Sequence, residues 1–595
     1  MQTDPAEIMP ESDAGSVAAG PPGLDRGSPP PSDRQKLEHS LGRLRERARP
    51  FARLPPADKA RLLRQVRARF FELSEAMVEV ANRHKGVEPS SPVAGEEWFS
   101  GPAISLRALR LFELALSDVA EHGAPRIAAR DVERTADGRT RVVLVPHDLY
   151  DRALFPGWRV TAWLEPGVFP ARISEVQASF YRKAEPEGLV VLVLGAGNVG
   201  SISVLDVLYH SFVEGAVCLL KMSPVNAYLG PFFERAFAPL IEAGYLAIVY
   251  GGGDVGGYLS SHPAVDAIHV TGSVETHDTI VWGPAGPERE RRRKALEPLT
   301  RKRITSELGN VSPVLVVPAR YSEREIEAAA RSIVGMVVQN ASFNCNAAKM
   351  IVTARGWPQR AALLGRIREV FREEPSRFAY YPGAQDRYDS LRTAAQGGQV
   401  DSIGDSGAGK LPWTLVSGLD AAQESKLFQV EPFCSIVSEC MVAADDAPEF
   451  LVEATRFANE RLWGTLNAML IAPSSVERDS TLRAALTKSV SDLRYGTVGV
   501  NVWPAAGYGL ASPPWGGYPG ATLADVQSGI GWGHDAAMLE HVEKSVLEGP
   551  LLGLLEPLWN PGHAHLRELG RALSGIEAAP SLSGVLRAAW ADLRR

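Results

Sequence analysis

From Leu37 onward, apolar residues recur at the spacing of a helix face. Leu62, Leu63, Val66, Phe70, Phe71, Met77, Val78 and Val80 stand in a strongly charged background, which predicts amphipathic helices. Pro55-Pro56-Ala57-Asp58 predicts a helix start. Arginines in this stretch alternate with acids and Leu, as on a solvated helix surface. Between about 140 and 195 the pattern turns to strands, at 141–145 and 158–163. Residues 188–194 then form an unbroken apolar run, as in a strand covered on both faces. Further runs at 217–220, 246–250 and 267–270 alternate with helical stretches. Strand and helix in alternation predict a doubly wound, mainly parallel α/β sheet. A strand at 314–317 and a helix at 324–338 follow. Two amphipathic helices are expected after Lys544, at 566–573 and 582–593.

Composition narrows this picture only a little. With 595 residues, 45% hydrophobic and 22% charged, the chain has the balance of a globular protein of several domains. A net charge of −7 spread over that length gives no general pull toward nucleic acid or membrane. No apolar run is long enough to span a bilayer, and no basic-then-apolar leader is present, so a cytoplasmic location is expected. Four cysteines, at 218, 345, 434 and 440, show neither disulfide nor zinc spacing, and no metal is expected. Residues 1–35, rich in Pro, Gly, Ser and Asp, are predicted to be a disordered tail.

The candidate chemistry sits at strand ends. Gly195-Ala196-Gly197-Asn198-Val199-Gly200 satisfies the GxGxxG pattern after a strand and before a helix. The ribose-binding acid expected about 20 residues on is instead Lys221, which ends the second strand. Asn198 carries an amide able to donate to a developing oxyanion. Gly251-Gly252-Gly253-Asp254 and Thr271-Gly272-Ser273 follow the next two strands, where small residues let phosphate approach backbone N–H groups. The basic run 284–303 reads as an exposed loop or helix without a site. Glu307, taken alone, reads as a surface carboxylate. Cys345 lies in Gln339-Asn340-Ala341-Ser342-Phe343-Asn344-Cys345, between apolar runs, and a thiol there is either small filler or a nucleophile.

Taken in order, these residues resemble the aldehyde dehydrogenase superfamily over about 55–545. Gly197-Asn198 stands at the family's Trp-Asn loop, Lys221 at its adenosine-ribose lysine and Thr271-Gly272-Ser273 in its Phe-Thr-Gly-Ser segment. Glu307-Leu308-Gly309-Asn310 is similar to its Glu-Leu-Gly-Gly signature, Cys345 to its nucleophile, and Glu431-Pro432-Phe433 to its Glu-x-Phe. The motifs Pro514-Trp515-Gly516-Gly517 and Ser528-Gly529-Ile530-Gly531 fall in sequence after them. The resemblance implies a Rossmann-like cofactor domain joined to a second α/β catalytic domain. It divides the chain into 1–35, 36–306 (helices and cofactor domain), 307–520 (catalytic), 521–545 (return segment) and 546–595 (C-terminal helical extension).

The resemblance also implies NAD(P)-dependent oxidation of an aldehyde to an acid. Cys345 would be the nucleophile, Glu307 the base that activates water, and Asn198 an oxyanion donor. Lys221, Gly253, Thr271, Gly272, Ser273, Leu308, Glu431 and Phe433 would hold NAD or NADP. A small aldehyde and a homo-oligomer, dimer or tetramer, are the expected partners. Four departures stand out. Ser342-Phe343-Asn344 replaces the Gly-Gln shortly before the cysteine. Gly197 replaces the Trp, which predicts an open wall in the substrate tunnel. Pro224 replaces an acid, which permits NADP. Cys434-Ser435 follows Phe433 in place of Gly-Pro. Two alternatives are kept: acyl-thioester reduction, and a degenerate member acting as a binding protein. Val500-Asn501-Val502 is expected to be a short strand that borders the substrate mouth with Trp503. Cys218, Cys434 and Cys440 are expected in the core, and His210, His262, His269 and His277 in surface or capping roles.

Overall fold

The computed structural model describes residues 28–135, 138–581 and 584. Most of the predicted tail, residues 1–27, lies outside them, as does nearly all of the second C-terminal helix expected at 582–593. Ser32 is already tied in, its N–H donating to the Tyr250 carbonyl at 3.0 Å, and Asp33 caps the helix Arg34–Ala52.

Five strands form one parallel sheet in the order Leu246–Val249, Val217–Lys221, Val190–Leu194, Ala267–Gly272, Arg303–Leu308. The first of these in sequence is central, and the chain winds outward from it in both directions. The C-terminal edge between Val190–Leu194 and Ala267–Gly272 is therefore a topological switch point, where open α/β sheets bind ligands. Val190, Val191, Leu192 and Val193 are fully buried, which explains their unbroken apolar run. The long helices Arg34–Ala52, Pro56–His84 and Ile104–His122 share this sheet's core. Each fully buried Leu, Val or Phe there contributes about 1.5–3 kcal/mol relative to exposure.

The second sheet has eleven strands. Its parallel centre includes Pro313–Val316, Met350–Ala354, Ile436–Val442, Asn467–Ile471 and Thr497–Val500. Val542–Glu548 joins parallel to Thr497–Val500 and then pairs antiparallel with Arg159–Leu164. Strands from within 36–306 thus complete the sheet formed mainly by the following region. Thr497–Val500 ends one residue before Asn501, so 500–502 is not a strand; Asn501 takes a left-handed φ of 59° that breaks the ladder.

Three of the four histidines expected at the surface or in caps are buried: His210, His269 and His277. His269 lies on the inner strand Ala267–Gly272, beside the central one, whose faces are both covered, so a polar side chain there is internal whatever its type. Its ring nitrogens meet the hydroxyls of Thr305 at 2.9 Å and Thr271 at 3.1 Å. Cys218, Cys434 and Cys440 are buried, as expected.

Candidate active site

The helix Glu323–Val338 opens with a capping box between Ser322 and Glu325 and delivers the chain to the Cys345 loop. Three consecutive non-glycine residues in that loop are left-handed: Asn340 (φ 51°), Ala341 (φ 54°) and Ser342 (φ 70°). Such a backbone costs of order 1–3 kcal/mol per residue and persists only where the surroundings enforce it. Here they do. The buried Lys349 ammonium donates to the Ser342 carbonyl (3.1 Å), the Ser342 hydroxyl (2.7 Å) and the Cys434 carbonyl (3.0 Å). Asn340 is pinned from the other side. Its Oδ1 accepts from Lys85 Nζ (3.0 Å) and the Tyr380 hydroxyl (2.8 Å). Its Nδ2 donates to the carbonyls of Asn198 (3.0 Å) and Phe343 (3.1 Å). The missing Gly-Gln therefore leaves the turn strained and held by side chains.

Asn198 comes after the central strand of the five-stranded sheet and reaches the same loop. Its Nδ2 donates to the Phe343 carbonyl at 2.9 Å, and its own carbonyl accepts from Lys85 Nζ at 3.0 Å. An amide NH2 has two donors, so one N–H can serve Phe343 while a second serves a ligand. Lys85 is itself paired with Glu97 at 2.6 Å inside the protein. Lys85 and Asn340, the knot joining the two halves of the site, were not singled out from sequence. No local pattern marks them, because the bonds that join them to each other and to Asn198 span more than a hundred positions.

Glu307 lies near the end of the outer strand Arg303–Leu308 and is buried, not at the surface. Its Oε1 accepts from Trp515 Nε1 at 3.1 Å, and it lines the same cavity as Cys345. Burial raises the Glu307 carboxyl to about 7, with the Trp515 bond opposing. Burial, with the negative charges of Glu307 and Glu431, holds the Cys345 thiol well above its usual value. Both shifts have one main cause, burial, which disfavours the charged form of each group.

Cys345, Glu307 and Asn198 line one cavity of about 190 Å³, walled mainly by apolar groups such as Phe155, Trp158, Trp503 and Tyr508. Trp503 is anchored by its Nε1 to the Asn346 carbonyl at 2.8 Å. A Cβ on Gly197 would lie 2.6 Å from both Ser223 Oγ and Val225 Cβ, so the 223–225 segment fills that space.

The other candidates gather along one edge. Lys221 ends its strand beside Leu194, with burial lowering its ammonium to about 8 against the opposing charge of Asp254. Gly253 opens the helix Gly253–Ser261 after the neighbouring strand. Thr271 pairs with Glu307, and Gly272 with Leu308, at adjoining strand ends. The Thr271 hydroxyl is turned inward, donating to Asp206 Oδ2 at 3.0 Å. Ser273 caps the helix Val274–Trp282, and Gly272 faces open space. Glu431 lies against Gly309, where any Cβ would be 2.1 Å from its Oε1; that oxygen has no hydrogen-bond partner among the described residues. Phe433, at φ 40°, packs near Phe343 and Tyr381.

The model of the aldehyde dehydrogenase family matches residues 160–376, a span that contains Asn198, Glu307 and Cys345. Solved aldehyde dehydrogenases share the fold across most of the chain. The chain thus matches the aldehyde dehydrogenase family model over part of its length and has the fold of solved aldehyde dehydrogenases.

Sequence identity to these proteins is low. A curated relative, (Z)-2-((N-methylformamido)methylene)-5-hydroxybutyrolactone dehydrogenase of Acinetobacter baylyi, is 26% identical over 294 residues, covering 47% of this chain. The chain spans about half of that relative's length, 53%. A glyceraldehyde-3-phosphate dehydrogenase of Methanocaldococcus jannaschii, solved with NADP, is 15% identical with a TM-score of 0.57, over 88% of this chain and 96% of that one. An aldehyde dehydrogenase of Pseudomonas syringae, solved with NAD+ and octanal, is 15% identical with a TM-score of 0.56, over 87% and 89%. No helix among the described residues is long and apolar enough to cross a membrane.

Proposed function

We propose that the protein oxidises an aldehyde to a carboxylic acid with NAD or NADP, through a covalent intermediate on Cys345. The observation that carries this reading is that Cys345, the buried Glu307 carboxylate and Asn198 line one largely apolar cavity. The residues present fit a dinucleotide. The unpartnered Glu431 Oε1 suits a ribose hydroxyl donor, Lys221 a second ribose, and the open space at Gly272 an approaching phosphate chain. With Pro224 after Lys221 and Ser223, no carboxylate at that position opposes a 2′-phosphate, so NADP is accommodated.

In this reading Glu307 accepts the Cys345 proton, and the thiolate adds to the aldehyde carbon. The spare Asn198 N–H donates to the resulting oxyanion. NAD(P)+, when bound, supplies the hydride acceptor. Cys345 is left as a thioester. Glu307, having released its proton, activates water to hydrolyse it. A carboxylate in the same cavity as the thiol favours this hydrolytic outcome over acyl-thioester reduction, which needs no such base. A homo-oligomer, dimer or tetramer, belongs to the same proposal.

The test is a panel of short aliphatic, long aliphatic, aromatic and semialdehyde substrates with each cofactor, alongside Cys345→Ala. NAD(P)H should form with the wild-type protein and be lost in the variant while cofactor binding persists. Turnover retained by Cys345→Ala would sink the assignment.

A further inference from the structure

The chain does not stop at Val542–Glu548. Residues 549–578 run back over the cavity: Leu558, Trp559, Leu573 and Glu577 all contribute to its wall. They are seated closely. Gly335, on the helix leading to the Cys345 loop, leaves room that a Cβ would deny, since it would lie 2.0 Å from the Trp559 carbonyl oxygen. Gly570, on the helix Leu566–Ala578, likewise gives way to Trp98, whose Cβ would be 2.4 Å from a Cβ there. Trp559 Nε1 donates to Ser332 Oγ at 3.0 Å, and its ring lies 6.0 Å from Trp158 and 6.2 Å from Trp503. The ring is thus one side chain removed from Asn346, the residue after the nucleophile.

The end of this segment brings a carboxylate to a wall that also carries Glu96, Arg107, Asp206 and Glu307. Glu577 Oε1 accepts from Arg107 Nη1 at 2.9 Å, and Oε2 from Arg110 Nε at 2.5 Å. Arg107 lines the cavity, and its remaining donors serve Asp151 at 2.9 Å and the Leu510 carbonyl at 2.8 Å. Arg67 donates to the carbonyls of Glu577 and Ala578, the last of the helix. Arg64, Arg67, Arg107 and Arg110 face Glu113, Asp148, Asp151 and Glu577, four charges against four. Without the Glu577 charge, this cluster carries four cations against three anions. A pair of guanidinium groups converging on one carboxylate is also what an anionic substrate would bind.

We propose that residues 549–578 are a fixed cap on the substrate cavity that selects uncharged, apolar aldehydes, with Glu577 filling from within the arginine site that a carboxylate-bearing aldehyde would otherwise use. This deepens the proposed oxidation and rests on that reading for its substrate class. Leu573 and Trp559 limit the girth of the apolar part. Glu577 sets its charge.

Alkylation of Cys345 tests the cap without cofactor or turnover. Iodoacetate and iodoacetamide are of similar size and differ in charge, and the thiolate displaces iodide from both. At one alkaline pH, the wild-type cavity should favour iodoacetamide. Glu577→Gln should raise the iodoacetate-to-iodoacetamide rate ratio at Cys345 about tenfold at low salt, less as salt screens the exposed cation. Leu573→Ala leaves the ion pairs intact and should speed N-cyclohexylmaleimide relative to N-ethylmaleimide. A folded Glu577→Gln protein with an unchanged charge ratio overturns the proposal. If that variant does not fold, an unchanged maleimide ratio in Leu573→Ala overturns it. These outcomes are separate from the oxidation reading, which fails when no aldehyde yields NAD(P)H even though Cys345 alkylates.

Discussion

Lys349→Met is the sharpest probe of how the Cys345 loop is held. Methionine keeps the length of the side chain and removes its three bonds, to the Ser342 carbonyl and hydroxyl and to the Cys434 carbonyl. The buried Ser342 carbonyl is then left short of a donor, at about 1–3 kcal/mol, while the Cys434 carbonyl keeps the Ile436 N–H at 2.9 Å. Burial already works against the Lys349 ammonium, so losing that charge returns part of the cost. The net loss is about 1–2 kcal/mol, localised on a turn that stores strain at Asn340, Ala341 and Ser342. At tenfold per 1.4 kcal/mol, the open loop becomes about 5–30 times more populated. Hydrogen exchange read by mass spectrometry should therefore accelerate by that factor in peptides covering 339–349, and much less in the strand Val190–Leu194. Aldehyde turnover should fall with it. Exchange within about threefold of wild type would refute the claim that Lys349 holds the strained turn.

Other expectations come from the same geometry. Glu307→Gln should slow thioester hydrolysis by about 10²–10⁴, leaving a single burst of NAD(P)H in rapid-mixing measurements; undiminished steady turnover would contradict the base role. With Glu307 raised to about 7, base-dependent turnover in the wild type should rise as pH climbs through that value. The stability sign is the reverse. A carboxyl raised in the folded state contributes stability that is full below its unfolded value of about 4.5 and lost as pH rises through about 7. Chemical denaturation across that window should show a fall that Glu307→Gln lacks. Asn198→Ala should lower kcat about 10²–10³-fold, as for loss of one oxyanion donor, and a change in KM alone would count against that role. Light scattering should return a mass at least twice that of the 64.2 kDa chain if the protein is a homo-oligomer.

The chain's local pattern determined the cofactor-type sheet and the positions of its functional turns. Strands covered on both faces must be apolar throughout, so Val190–Leu194 and its neighbours announce themselves, and Asn198, Lys221 and Thr271 are legible from their places at or just beyond the strand ends. Asn198, Glu307 and Cys345 could be grouped only through the resemblance to aldehyde dehydrogenases, since Glu307 alone reads as a surface carboxylate. The tertiary structure alone decided what holds them. Lys85 and Asn340 look like ordinary polar residues until Asn198 and Tyr380 are brought to them. The three left-handed residues before Cys345 could not be read from a segment without glycine, since the support comes from Lys349 and from elements remote in sequence. Nor does anything near Glu577 announce that it meets Arg107 across 470 positions, on the wall of the same cavity as Cys345. Periodicity reports which face of an element is buried, whereas the partner across that face is set only when the sheets and helices close on one another.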